Sequence, residues 1–171
     1  MSNQWLSKPE REQYEIEHFL STYSKFPNVP FFEILSKQET PDYLVKDKKT
    51  GLIYGVELTS VYLDERSVPD YHIIDITGCV QIDDDEKLLA QYMQRLLSAI
   101  QTKVKKGRDH YDISYPLILA IYINEYVSIH LDNDDLEKWV KLNSEIFEDI
   151  RPFSEIVLWN LVDDGAFSIK S

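Results

Sequence analysis

The chain has 171 residues, 43% of them hydrophobic and 12% aromatic, with only 5 Gly, 7 Pro and 1 Cys. That length fits one domain able to bury about 70% of its unfolded surface, and the composition excludes disordered, collagen-like and low-complexity chains. The lone Cys79 excludes an internal disulfide and a multi-cysteine zinc site, while a formal net charge of −12 argues against a broad nucleic-acid-coating surface.

Residues 9–24 predict a helix. Pro9 suits a first helical turn, and Glu10, Glu12 and Glu15 suit its N-terminal dipole. Ile16, Phe19, Leu20 and Tyr23 recur at helical spacing. Residues 31–36, 42–48 and 52–63 predict three strands. The last two join at Lys48-Lys49-Thr50-Gly51, a polar tip ending in glycine that suits a hairpin. Residues 64–82 mix Pro69 and Gly78 with short apolar pieces and predict an irregular excursion with one strand at most. Residues 84–106 predict a long helix that opens on acids and closes on lysines before Gly107, taken as its C-terminal stop. Residues 116–124 are apolar almost without alternation, which marks a strand buried on both faces. Residues 133–149 predict a third helix with Asp132 as N-cap. Residues 155–161 predict a second buried strand, and 165–169 a short last one. The order implies one α/β domain over 1–171, an antiparallel meander followed by helical crossovers. No apolar run approaches the roughly 20 residues of a membrane span. The polar start, MSNQWLSKPEREQ, lacks a secretory-signal pattern. The expectation is a soluble cytoplasmic protein with no membrane partner.

The segment richest in chemistry is Pro41-Asp42-Tyr43 followed by Gly55-Val56-Glu57-Leu58-Thr59. Pairing around Lys49-Thr50 sets Asp42 and Glu57 nearly opposite each other. Period two then puts Glu57 and Thr59 on one face and Val56 and Leu58 on the other. Two carboxylates on adjacent strands can share a hard cation such as Mg²⁺ or Mn²⁺, which takes oxygen ligands and orients a water. The plain alternative is a turn aspartate beside a solvated glutamate.

These residues, and the order helix, three-strand meander, helix, strand over residues 9–124, resemble the PD-(D/E)XK nuclease superfamily with its restriction-endonuclease-like fold. The resemblance implies a metal-dependent phosphodiesterase with Asp42 and Glu57 as metal ligands. The chain departs from the motif at the lysine two residues after the glutamate, where Thr59 stands. Members of the superfamily also supply that lysine from the following helix. At 100° per residue Lys103 falls in the arc of Tyr92, Leu96 and Ile100, which makes it the candidate that assists the attacking water. Superfamily members often place a glutamate on the first helix facing the metal site, and Glu12, which falls in the arc of Ile16, Phe19 and Tyr23, is the candidate outer metal ligand that the resemblance implies. A snorkelling lysine and a dipole-complementing glutamate are the structural alternatives for these two.

Two basic clusters, Lys46, Lys48 and Lys49 at the hairpin tip and Lys103, Lys105, Lys106 and Arg108 at the end of the long helix, would flank a nucleic-acid backbone in a local groove. A homodimer is one way for a domain this small to span duplex DNA. The competing class is a catalytically inactive nuclease-like scaffold acting as an acidic protein-binding or inhibitor module. The net charge of −12 and the missing motif lysine favour it. His18, His72, His110 and His130 show no metal-type spacing. His110-Tyr111-Asp112 reads as a loop that could touch substrate. Trp139 and Trp159 read as core residues, and Trp5 as a docking residue.

Overall fold

Two strands of the six-stranded sheet, over 117–123 and 153–161, are apolar runs that need cover on both faces. A computed structural model describes residues 7–62, 85–111, 114–162 and 165–170. Helix α1 (Lys8–Tyr23) precedes β1 (Phe32–Lys37), β2 (Tyr43–Asp47) and β3 (Ile53–Val61). Helix α2 (Asp85–His110) leads to β4 (Leu117–Ile123). The short α3 (Glu125–Ser128), α4 (Asn133–Leu142) and α5 (Ser144–Phe147) lead to β5 (Phe153–Leu161) and β6 (Gly165–Lys170). The strands lie in chain order. β1, β2 and β3 form an antiparallel meander; β3, β4 and β5 are parallel; β6 returns antiparallel. The molecule is therefore α/β with an open mixed sheet, as its sequence predicts.

Helices cover both faces. α1 sets Ile16, Phe19 and Tyr23 on Val45, Val56, Ile118, Val157 and Trp159. On the other face α2 sets Tyr92, Leu96, Ile100 and Val104 on Leu119, Ile121, Ile156 and Leu158. Each fully buried Leu, Ile or Phe there contributes about 1.5–3 kcal/mol by leaving water. Both stripes match the helical spacing read from the sequence. Trp159 is buried and Trp139 packs against the α2 cluster, so both are core residues. The hairpin tip turns at residues 48–51, where Gly51 has φ +76° and Asp47 accepts from the Lys49 and Thr50 N–H groups. Asp132 caps α4 by accepting from the Asp135 N–H.

Two helix ends differ from expectation. Gly107 does not stop α2, which continues to His110. A β-carbon on Gly107 would lie 2.8 Å from Pro152 Cγ, so this glycine admits the loop before β5 against the helix. The expected helix over 133–149 breaks at Asn143. The Asn143 side-chain amide donates to the Trp139 carbonyl at 2.8 Å and competes with the backbone for it. The irregular excursion expected over 64–82, with Cys79 and His72, lies outside the described residues, as does Trp5.

Candidate active site

The hairpin register places the acidic pair. Tyr43 pairs with Val56 and Leu44 with Gly55, so Asp42, one residue ahead of β2, falls opposite Glu57. Gly55 makes this close approach possible. A β-carbon there would lie 2.5 Å from Leu117 Cδ2 and 2.6 Å from Pro41 Cγ. Val56 faces α1, whereas Glu57 pairs with Leu119, a member of the α2 cluster, and so faces α2.

Glu57 is only 3% exposed. A buried carboxylate needs a charged or hydrogen-bonding partner. Lys103 supplies it: its Nζ donates to Glu57 Oε1 at 2.6 Å. Glu57 Oε2 is buried and makes no well-formed hydrogen bond among the described residues, although the Tyr111 hydroxyl stands beside this carboxylate. Asp42 Oδ2 accepts from the Leu58 N–H at 2.7 Å. Burial, and then the Glu57 charge, push the Asp42 carboxyl up to about 6, against the pull of the Leu58 N–H and of Lys103. Two like charges thus share one place with a single ammonium.

Tyr111, just past the end of α2, is the residue that the sequence reading assigned to a loop. It is buried, and burial followed by the adjoining Glu57 carboxylate holds its hydroxyl above the ordinary tyrosine range. Nothing in a lone His-Tyr-Asp triplet signals this. Only the end of α2 beside β3 brings Tyr111 to Glu57.

Asp42 also lines a groove of about 430 Å³ between the first turns of α1 and the second half of β3. Its other walls include Lys8, Arg11, Glu12, Glu15, Thr59 and Ser60. The mouth lies toward the carboxyl end of β3, a parallel strand, where open α/β sheets place their ligands. Glu12 is in the groove, but Lys37 donates to its carboxylate and Lys8 lies 3.7 Å from it. Glu15, one helical turn on, was not singled out from the sequence. It accepts from the Ser60 hydroxyl at 3.3 Å, and burial raises its carboxyl pKa. Its clue was its place in the first turns of the helix that also carries Glu12.

The expected outer role of Glu12 thus meets a carboxylate that is already paired with two lysines. Among the described residues no group of three His, Cys, Asp or Glu side chains is arranged to hold a metal ion. The basic clusters also fall differently from expectation. Lys46, Lys48 and Lys49 lie at the far end of the hairpin, with Lys48 about 20 Å along the strand from Asp42. Lys46 lies 3.9 Å from Glu33, and Lys48 sits over the Phe31 ring. Arg108 donates to the Asp149 and Arg151 carbonyls and fastens the end of α2. Lys106 is exposed one turn beyond Lys103.

The donor set suits a hard divalent cation of the Mg²⁺ type. Asp42 and Glu57 offer oxygen ligands, and like charges already strain the pair. Mg²⁺ needs only one or two carboxylates when substrate phosphates and waters complete its shell. Comparison with protein-family models, curated proteins and solved structures found no match.

Proposed function

We propose that the chain is a Mg²⁺- or Mn²⁺-dependent phosphodiesterase acting on DNA or RNA, built on a restriction-endonuclease-like core. The order α1, β1–β3, α2, β4 with β3 parallel to β4 supports that core. The observation that carries the reading is the 2.6 Å contact from Lys103 to Glu57 behind the groove that Asp42 lines. A helix lysine in contact with Glu57 supports the reading, because Thr59 stands where the motif has its lysine.

The divalent ion would stabilise charge on a phosphoryl oxygen and lower the pKa of a water. The chain's own groups have distinct tasks. The Leu58 N–H fixes Asp42 through Oδ2 and leaves Oδ1 for the ion. Lys103 engages Oε1 of Glu57, so that Oε2 would be the oxygen left to face the ion. Lys103 would also bring a positive charge near a water activated beside Glu57. Tyr111, held protonated, closes the α2 side of Glu57.

The competing reading, an acidic binding module without catalysis, draws on the net charge of −12 and on the near-complete burial of Glu57. Cleavage of single- and double-stranded DNA and RNA with Mg²⁺ or Mn²⁺ separates the two. Wild type should cleave at least one substrate, and Asp42→Ala and Glu57→Ala should each lose about a hundredfold or more in rate. Cleavage that survives both substitutions overturns the nuclease assignment. Calorimetry with Mn²⁺ on the intact protein adds an independent readout, because the inactive module requires no ion at Asp42.

A further inference from the structure

The cations around the groove are unequal in what they already do. Lys8 and Lys37 are engaged with Glu12, and Lys103 with Glu57. Arg11 lines the groove beside Asp42, yet its guanidinium makes no hydrogen bond or ion pair among the described residues, and its Nε is buried without a partner. Glu15, the acid that feels its charge, is instead bonded to the Ser60 hydroxyl. A buried guanidinium N–H with no acceptor is a rare and costly condition. It is resolved when a ligand brings the acceptor. The fork of a guanidinium matches the paired oxygens of a phosphate, which it can bind in bidentate fashion.

We propose that Arg11 is a phosphate-binding residue, which grips a phosphate group of a nucleic-acid strand in the groove next to the one presented to Asp42 and Glu57. This rests on the nuclease reading and adds to it the route of the strand. The strand crosses the first turns of α1 and the second half of β3, where Thr59 offers a further hydroxyl donor, and it does not run along the hairpin tip with its lysines. The groove, at about 430 Å³, has room for a phosphate with its sugar.

The test is binding with cleavage silenced by Ca²⁺ in place of Mg²⁺. Fluorescein-labelled single-stranded and duplex DNA and RNA, each with a 5′-phosphate or a 5′-hydroxyl, are titrated by anisotropy against wild type, Arg11→Gln and Arg11→Lys. Arg11→Gln should weaken binding about tenfold and reduce the slope of log affinity against log salt by about one, measured from about 50 to about 200 mM salt. Arg11→Lys should restore the slope while leaving affinity below wild type, because an ammonium lacks the fork. It also carries the test if Arg11→Gln does not fold. A loss confined to 5′-phosphorylated strands assigns the gripped group to the strand end; an equal loss with both assigns it to the backbone. Wild-type affinity and slope in Arg11→Gln, or in Arg11→Lys if the first variant is unfolded, overturn the proposal alone when Asp42-dependent cleavage persists. A wild-type protein that binds no strand overturns it together with the nuclease reading.

Discussion

Two glutamates sit at comparable depth in parallel strands of one sheet, and they have opposite fates. Glu155 in β5 is 6% exposed and Glu57 in β3 is 3% exposed. Glu155 is fully provided for: Oε2 accepts from the Tyr23 hydroxyl at 2.7 Å, and Oε1 accepts from the Ser168 hydroxyl, with Lys170 at 3.8 Å. Its partners come from α1 and β6, and it ties these elements to β5. Glu57 has the Lys103 ammonium on one oxygen, the Tyr111 hydroxyl beside it and a competing carboxylate next to it. Burial alone therefore does not distinguish a structural acid from a chemical one. The accounting of lone pairs does, because a carboxylate whose hydrogen bonds are complete has nothing left for a ligand.

The contrast can be broken or sharpened by substitution. The largest stability effect belongs to Lys103→Met, which strands the Glu57 charge in the α2 face. We expect a loss of about 3 kcal/mol by chemical denaturation, much of it recovered in the double variant with Glu57→Gln. A loss below about 1 kcal/mol would mean that Glu57 is not held by Lys103. Glu155→Ala comes next, at about 2–3 kcal/mol, since it leaves the Tyr23 and Ser168 hydroxyls without their acceptor. Its residual folded fraction should retain wild-type metal binding, and a defect there would erase the distinction between the two acids. Asp42→Asn should act with the opposite sign. The Asp42 carboxyl stands at about 6 in the folded protein against an ordinary 3.8. The folded state therefore binds the proton more tightly, and stability falls as pH rises from about 4 to about 6. At pH 7 without metal the asparagine variant should be more stable by about 2 kcal/mol, and the gain should vanish below pH 4. The smallest effect is Lys170→Ala, under about 1 kcal/mol, because that lysine is two-thirds exposed.

The pH readout extends to the ion. Protons compete with Mn²⁺ for the Asp42 carboxylate, so affinity measured by calorimetry should fall as pH drops through about 6. Flat affinity between pH 5 and pH 7 would remove Asp42 from the ligand set.

The parts of this site that were legible in the sequence are those governed by short-range periodicity. A tip centred on Lys49-Thr50 predicts the partner of Asp42 by counting outward, and the register agrees. The helical arc predicts that Lys103 faces inward, and it does. What escaped were features that depend on which elements become neighbours. Gly107 has the appearance of a helix stop, but its missing side chain accommodates Pro152, a residue distant in sequence. Glu12 lies on the predicted face, yet Lys37 of β1 claims it. The hairpin lysines look like a binding patch until the strand length carries them away from Asp42. Arg11 and Tyr111 carry no local signature, and only the meeting of α1 and α2 with β3 gives them a role.

Gly55 has a consequence that concerns ancestry more than energy. None of its atoms would touch a metal or a phosphate, yet a methyl group there would collide with Leu117 on one side and Pro41 on the other. Pro41 is the residue that delivers Asp42. A descendant chain could thus keep Asp42, Glu57 and Lys103 unchanged and still lose the placement of Asp42 through one alanine two residues upstream of the glutamate. Judging whether a relative of this protein keeps the Asp42–Glu57 arrangement should begin at position 55.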